Sequence, residues 1–180
     1  MFTFSLLSII SINVIFLLVI SFGIDFAITH AQESRENLIV VSEPGNYNIT
    51  DGTDRSDIIV GNSMTNVIVG EESDDVLMGR QGNDELHGNP GNDILLGNLG
   101  ADILFGNDGD DVLFGGAEED YMNGGKGNDR LYGDLGDDVL EGGPGADYFD
   151  CGEGYDVIID FRTQEKDVAQ NNCEEIRTNV

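Results

Sequence analysis

The nonapeptide Gly124–Tyr132 reads Gly-Gly-Lys-Gly-Asn-Asp-Arg-Leu-Tyr, and most of the chain is a set of variations on it. Steps of nine residues in both directions from Asp129 reach twelve positions, of which eleven are aspartate and one is Asn66. An apolar residue stands two places after each of the twelve. Only stacked, near-identical turns demand the same residue at the same phase of an unbroken period. Residues 52–159 therefore predict a repeat fold.

Glycine and apolar residues divide each nonapeptide into two parts. With Gly124 as position 1, glycine occupies position 1 in eleven repeats and position 4 in eight. Glycine is favoured where the backbone takes positive φ or where another segment comes close, so positions 1–6 predict a turn. Apolar and aromatic residues dominate positions 7–9. They predict a short strand whose position 8 faces the core while positions 7 and 9 face outward.

Two such repeats make one coil of the predicted fold. Consecutive strands enter opposite sheets, so repeat n stacks on repeat n+2, and twelve repeats give about six coils. The sequence therefore predicts an all-β parallel solenoid, with two sheets of short strands and a short cap at each end. Its core is one layer thick, which is too little to offset the ordering of so glycine-rich a chain.

The charge balance excludes several classes of partner. The 180 residues include 35 acidic and 8 basic side chains, which gives a formal net charge of -27. Such a chain is repelled by nucleic acid and by acidic membrane surfaces, so neither is expected as a direct partner. The same self-repulsion opposes compaction. A compact fold is therefore expected only with bound cations.

Stacking places the position 6 aspartates of repeats n and n+2 close together, beside carbonyl oxygens of the glycine-rich turns. Hard oxygen ligands of this kind suit Ca²⁺. The turns contain no histidine and, apart from Cys151, no cysteine, which argues against zinc or copper. Mg²⁺ fits less well, because it prefers strict octahedral geometry and keeps its waters. The predicted cofactor is calcium.

The repeats resemble the hemolysin-type calcium-binding repeats, or RTX repeats, whose consensus is Gly-Gly-x-Gly-x-Asp-x-(apolar)-x. The resemblance covers Gly52 to Ile159. It implies a parallel β-roll with calcium bound between the turns. In that family the roll often belongs to exported toxins, proteases or lipases that leave the cell by a C-terminal signal, whereas the signal expected here is in residues 1–31 at the N-terminus.

Turns that keep the consensus carry the predicted ligands. The predicted metal-binding side chains are Asp84, Asp93, Asp102, Asp111, Asp129, Asp138, Asp147 and Asp156. Backbone carbonyls are expected from the turns around Gly88, Gly91, Gly97, Gly100, Gly106, Gly109, Gly124, Gly127, Gly133, Gly136, Gly142 and Gly145. About five strong sites are predicted, in the pairs Asp84 with Asp102, Asp93 with Asp111, Asp111 with Asp129, Asp129 with Asp147, and Asp138 with Asp156. Weaker sites are expected at Asp75 and Asp120, where Ser73 and Glu118 replace the position 4 glycine.

The chain begins with an apolar segment that predicts export. Residues 2–24 carry no charged side chain, and Thr29 and Ala31 place small residues where a signal peptidase would cleave after Ala31. The alternative for residues 1–31 is an uncleaved anchor, since the apolar run is about long enough to cross a bilayer. The expected location is secreted and extracellular, or membrane-anchored in the alternative. Residues 32–51 are expected to form a polar leader or N-terminal cap.

Residues 160–180 are expected to form a C-terminal cap. Cys151 and Cys173 are the two cysteines of the chain. In an exported protein they most simply form a disulfide, which here would tie the tail over the last turn. A metal-ligand role fits less well, because no CxxC pair and no nearby histidine accompany them.

The chain is expected not to be an enzyme. It has no GxSxG, HExxH or P-loop motif, and His87 is at an outward position 9. Outward residues of one sheet, including Ile94, Leu96, Val112 and Phe114, form an apolar strip that predicts self-association or a protein partner. Two functions remain open. One is a secreted calcium-binding protein with a structural or interaction role, and the other is an accessory roll of a secreted hydrolase, or a small hydrolase itself.

Overall fold

A computed structural model describes residues 37–40 and 48–178. Within these ranges the chain forms sixteen parallel strands in two sheets of eight and contains no helix. The strands of sheet 1 are, in order, β1 (Asn37–Val40), β3 (Asp57–Val60), β5 (Val76–Gln81), β7 (Ile94–Leu99), β9 (Val112–Ala117), β11 (Arg130–Leu135), β13 (Tyr148–Asp150) and β15 (Val168–Ala169). Those of sheet 2 are β2 (Asn48–Thr53), β4 (Asn66–Glu71), β6 (Glu85–Pro90), β8 (Ile103–Asp108), β10 (Tyr121–Lys126), β12 (Val139–Glu141), β14 (Val157–Phe161) and β16 (Glu175–Thr178).

The register of the sheets confirms the predicted parallel solenoid. Leu95 of β7 pairs with Leu113 of β9, and Leu104 of β8 pairs with Met122 of β10. Both partners lie two repeats further along the chain. Successive strands therefore alternate between the sheets, and repeat n stacks on repeat n+2 as the nine-residue period predicts.

The predicted coil number was too low. Twelve repeats were expected to give about six coils, but the fold has about seven turns, with eight strands in each sheet. The additional strands come from the flanks: β1 and β2 extend the stack at one end, and β15 and β16 at the other. Exposed sheet edges favour such pairing, because it satisfies backbone groups that the repeats leave open.

The core is the single file of position 8 side chains. All twelve have 0% exposure, and they are Ile59, Ile68, Leu77, Leu86, Leu95, Leu104, Leu113, Met122, Leu131, Leu140, Phe149 and Ile158. Positions 7 and 9 are half-buried or exposed in the same strands. The predicted orientation of the strands is therefore confirmed.

The predicted turn was too long. Positions 1–6 were assigned to it, but the central strands run from position 7 to position 3 of the next repeat, so the turn proper is positions 4–6. Asn98, at position 2, has φ of 79°, which bends the strand, and yet Asn98 and Leu99 pair again with Gly116 and Ala117 of the next coil. Asparagine tolerates this left-handed conformation, which is why glycine content alone misplaced the boundary.

The two glycine positions serve different purposes. Gly127 at position 4 has φ of 142°, a conformation that other residues rarely adopt. Gly106 at position 1 needs its small size instead: an added Cβ would lie 2.3 Å from Oδ2 of Asp111 and 2.4 Å from the carbonyl oxygen of Gly124. Position 1 is therefore the place where side-chain and backbone oxygens crowd together.

The ends of the chain differ in what can be described. The predicted signal peptide or anchor, residues 1–31, lies outside the described residues, as does much of the leader. No helix in the described part is long and apolar enough to cross a bilayer. At the other end Cys151 and Cys173 are joined by a disulfide.

Candidate metal sites

The position 6 residues form two columns, one along each edge of the roll. The first column lies at the start of strands of sheet 1 and consists of Asp57, Asp75, Asp93, Asp111, Asp129 and Asp147. The second column is associated with strands of sheet 2 and consists of Asn66, Asp84, Asp102, Asp120, Asp138 and Asp156. No member of either column is more than 3% exposed. Carboxylates are rarely buried so completely unless they are paired or bind a metal.

A hydrogen-bond ladder connects each column. The backbone N–H of Asp93, for example, donates to Oδ1 of Asp111 over 2.7 Å. The same bond joins all five predicted pairs: Asp84 to Asp102 at 2.7 Å, Asp93 to Asp111 at 2.7 Å, Asp111 to Asp129 at 2.8 Å, Asp129 to Asp147 at 2.9 Å and Asp138 to Asp156 at 2.9 Å. The Oδ1 atom of the later aspartate in each pair is thereby satisfied.

The second carboxylate oxygen has no such partner. Among the described residues, no donor reaches the buried Oδ2 atom of the aspartates in either column from the Asp75 turn onward. They are Asp75, Asp84, Asp93, Asp102, Asp111, Asp120, Asp129, Asp138, Asp147 and Asp156. Native proteins leave few buried polar atoms unsatisfied. A regular series of ten requires a common explanation, and a bound cation at each turn supplies one.

Several of these oxygens lie beside further oxygen atoms. A Cβ added to Gly88 would lie 2.3 Å from Oδ2 of Asp93 and 2.8 Å from the carbonyl oxygen of Gly106 in the next coil. The same arrangement recurs at Gly70, where Oδ2 of Asp75 and the carbonyl oxygen of Gly88 would be the neighbours. Carboxylate and carbonyl oxygens therefore converge at position 1. This donor set is the one that calcium prefers.

Burial makes the ionised carboxylates costly. It raises the pKa of Asp93, Asp102, Asp111, Asp129, Asp138 and Asp147 to about 7. The pKa of Asp120 rises to about 8 for the same reason. The ladder hydrogen bonds lower these pKa values, and the charge of neighbouring carboxylates raises them again. A cation that cancels the burial and repulsion would restore the ionised form.

Side chains alone do not complete a site. Within residues 37–40 and 48–178, no three aspartate, glutamate, histidine or cysteine side chains cluster as a metal site. Any cation held between two turns would thus be bound by position 6 carboxylates together with backbone carbonyl oxygens.

Comparison with protein families agrees with this geometry. The family model described as RTX calcium-binding nonapeptide repeat (4 copies) matches residues 51–86, 87–122 and 123–158, which is more than half of the chain. The chain belongs to the RTX calcium-binding repeat family. Its RTX repeats bind calcium, and an RTX β-roll is a structural, non-catalytic domain type. No curated protein matches the chain in a separate comparison.

Asn66 replaces the position 6 aspartate in one RTX turn. Its Nδ2 group donates to the carbonyl oxygen of Met64, to Oδ1 of Asn62 at 3.3 Å and to Oδ1 of Asp84 at 3.0 Å. An amide at position 6 therefore finds partners within the protein, where the second oxygen of an aspartate finds none. The loss of aspartate and of the position 4 glycine in the same repeat is consistent with a turn that does not need metal.

The Asp120 turn keeps its place in the RTX stack. Asp102 N–H donates to Oδ1 of Asp120 at 2.7 Å, and Asp120 N–H donates to Oδ1 of Asp138 at 2.8 Å. Its departure from consensus is confined to position 4, where Glu118 has φ of 81°. A non-glycine residue in this conformation costs about 1 kcal/mol or more. The carboxylate column itself is continuous.

Two carboxylates of the tail extend the columns, and sequence reasoning missed both. Asp147 N–H donates to Oδ1 of Asp167 at 3.1 Å, and Asp156 N–H donates to Oε2 of Glu174 at 3.0 Å. Glu174 stands eighteen residues after Asp156, so extending the nine-residue period beyond Ile159 would have identified it. Asp167 stands twenty residues after Asp147 and could not be found in that way.

The outward aromatic residues pack along the sheets. Phe114 stacks on Tyr132 with ring centroids 4.7 Å apart, and Tyr132 contacts Tyr148 at 5.9 Å. On sheet 2, His87 stacks on Phe105 with ring centroids 5.0 Å apart, and its Nε2 donates a hydrogen bond to Oε1 of Glu85 at 2.8 Å. These contacts half-bury the outward aromatic side chains and stabilise the packing of neighbouring coils. His87 has a structural role in this arrangement.

Proposed function

We propose that this chain is a secreted calcium-binding repeat protein whose roll folds as it binds calcium, with a structural or interaction role outside the cell. The observation that carries the proposal is the regular series of buried Oδ2 atoms without hydrogen-bond donors. Ligands from separate turns meet only in the folded stack, so binding and folding become one equilibrium. The disulfide between Cys151 and Cys173 supports export, because disulfides persist mainly in oxidising compartments.

The five pairs of consensus turns are the proposed principal sites. Each pair has a ladder bond. The proposed carbonyl ligands come from the turns around the position 1 and position 4 glycines named above. The backbone N–H of Asp75 donates in the same way to Oδ1 of Asp93 at 2.8 Å. In the second column, the backbone N–H of Asp120 donates to Oδ1 of Asp138. These two turns are proposed as weaker sites, because Ser73 and Glu118 require a strained backbone at position 4.

A calcium titration tests the proposal. Strand content, followed by circular dichroism, and the number of bound ions, followed by equilibrium dialysis, are expected to rise together over roughly 10⁻⁴ to 10⁻³ M calcium, the range of extracellular modules. Magnesium at the same concentrations should produce a much smaller change. Full strand content in excess chelator at neutral pH, with no bound calcium on titration, would refute it.

We also propose that the apolar strip of sheet 1 is a protein contact surface, either between copies of this chain or with another protein. Ile94 is 39% exposed, and Leu96, Val112 and Phe114 are half-buried beside it. The double variant Ile94→Lys with Phe114→Lys should keep calcium binding and lose assembly in sedimentation. Gln81→Lys with Ala146→Lys adds two lysines at exposed positions outside the strip and is the matched control. Unchanged sedimentation and unchanged surface attachment in the first variant would exclude this surface.

A further inference from the structure

The tail replaces one more repeat at the end of the first column. Asp167 lies where the next position 6 aspartate would be, because its Oδ1 atom accepts the Asp147 N–H at 3.1 Å. In the repeats the same bond runs from Asp129 N–H to Oδ1 of Asp147 at 2.9 Å. The tail reaches this position with a spacing of twenty residues, which requires a different local path. The match is therefore in the hydrogen bonding, not in the sequence period.

A second contact of the repeats is reproduced beside it. Within the repeats, the position 4 N–H of Gly127 donates to the carbonyl oxygen of Pro144 at 3.0 Å. The corresponding N–H of Gly145 donates instead to Oε2 of Glu165 at 2.9 Å. A side-chain carboxylate thus stands where the next coil would offer a backbone oxygen. Two oxygens of a missing repeat are supplied by Glu165 and Asp167.

One buried carboxylate oxygen of this last turn has no hydrogen-bond partner. Oδ2 of Asp147 is buried and accepts no hydrogen bond from the described residues, and Asp147 as a whole is 1% exposed. Asp167 is itself buried at 8% exposure, and its Oδ2 atom accepts the backbone N–H of Arg162. Two carboxylates are therefore held together in a buried position.

The basic side chain of Arg162, in the same tail segment, pairs with other carboxylates. The guanidinium of Arg162 pairs with Asp160 at 2.7 Å and reaches Glu165 at 3.5 Å. Neither contact satisfies Oδ2 of Asp147. The Arg162 guanidinium thus leaves Oδ2 of Asp147 without a donor, as in the turns within the repeats.

We propose that the carboxylates of Asp147 and Asp167, completed by backbone carbonyl oxygens as in the repeats and assisted by the charge of Glu165, form a further calcium site that closes the first column outside the nonapeptide repeats. This rests on the proposed function, since it assumes that the repeat turns bind calcium. The site takes a hard divalent cation with oxygen ligands, because it offers only carboxylate and backbone oxygens. The family match ends at residue 158, so Glu165 and Asp167 lie beyond the matched repeats.

The site would join the tail to the roll. Asp167 belongs to the tail and Asp147 to the last consensus turn, so one bound ion bridges them. The Cys151–Cys173 disulfide holds the same two segments together covalently. A covalent tie raises the effective concentration of tail ligands at the roll, so reduction of the disulfide should weaken this site more than the repeat sites.

Native mass spectrometry of the full oxidised chain in calcium tests the proposal. Asp167→Asn should bind one ion fewer than wild type. Glu175→Gln, which changes another carboxylate of the tail that is paired with Arg177, should bind the full number. Equal ion counts for Asp167→Asn and wild type would overturn the proposal.

A second variant covers the case in which Asp167→Asn destabilises the cap. Glu165→Gln can still accept the Gly145 N–H but loses its charge, and it should weaken one ion by roughly tenfold, because ligand charge sets affinity in calcium sites. Unchanged affinity for every ion in this variant would overturn the proposal if Asp167→Asn unfolds. Absence of calcium from wild type as well would instead refute the proposed function.

Discussion

Removing calcium and then lowering the pH should return the roll toward its folded state. Burial raises the pKa of Asp93, Asp111 and Asp129 from 3.8 to about 7. A carboxyl whose folded pKa lies above its unfolded value stabilises the fold below the unfolded pKa and loses that effect as the pH rises through the folded value. The calcium-free roll should therefore be least stable above about pH 7 and gain stability as the pH falls toward 4.

The size of the effect decides whether a calcium-free roll can exist at neutral pH. A shift from 3.8 to about 7 corresponds to about 4 kcal/mol for each ionised carboxyl. Seven column aspartates have a pKa raised to about 7 or 8. Neighbouring carboxylates share their repulsion, so the separate costs do not add in full, but a third of the sum, about 10 kcal/mol, already equals the whole stability of a typical domain. At about pH 5 more than half of this cost is removed.

The assay is circular dichroism of calcium-free protein between about pH 8 and pH 5, beside calcium-loaded protein at pH 8. Strand signal should be low at pH 8 without calcium, increase on acidification, and be full at pH 8 with calcium. Asp111→Asn should stabilise the calcium-free roll by a few kcal/mol at pH 8, because it removes a buried charge. The same variant should weaken calcium binding, because it removes a charged ligand. Asp110→Asn, at the exposed neighbouring position, is the matched control and should change both by less than about 1 kcal/mol.

Two results would contradict this reasoning. One is a strand signal in calcium-free protein at pH 8 that equals the calcium-loaded signal. The other is an Asp111→Asn variant whose calcium-free stability is lower than that of wild type at pH 8. Either would mean that the buried carboxylates are satisfied by something other than a cation or a proton.

Three further predictions concern single positions and are checked by urea unfolding in saturating calcium. Gly106→Ala should destabilise the roll by several kcal/mol, because its Cβ would meet two oxygens at 2.3 and 2.4 Å, whereas Asn107→Gly at the adjacent position, where φ is 81°, should cost less than about 1 kcal/mol; equal losses would refute the crowding argument. Glu118→Gly should stabilise by about 1 kcal/mol and tighten calcium binding by relieving φ of 81°, and a loss of stability would count against strain at this turn. Replacing both Cys151 and Cys173 by serine should cost about 2 to 4 kcal/mol, and an unchanged midpoint would mean that the tail contributes little to the fold.

Much of the fold was predictable because one coil constrains every other. A residue such as Leu104 can be buried in all coils only if the period is unbroken, so the strict phase of position 8 predicted both the core and the stacking of repeat n on repeat n+2. The same phase predicted that Asp93 and Asp111 lie together. Periodicity thus carries long-range information that a single motif lacks.

The strand boundaries and the tail contact of Asp167 were not predictable, because they depend on backbone geometry that has no clear sequence signal. Asn98 takes a positive φ that glycine spacing assigned elsewhere, which moved the boundary between strand and turn. Asp167 enters the first column through a spacing of twenty residues, so no periodic search could include it. Both are places where hydrogen bonding across coils, and not local preference, decides the structure.

The most direct test of the account is a crystal structure of the protein grown in calcium. It should contain ions between the paired turns of both columns, each in contact with Oδ2 of a position 6 aspartate such as Asp93 or Asp111. The Asn66 turn should contain none, because its amide already satisfies the neighbouring oxygens. Folded turns without ions beside these aspartates, at saturating calcium, would contradict the account.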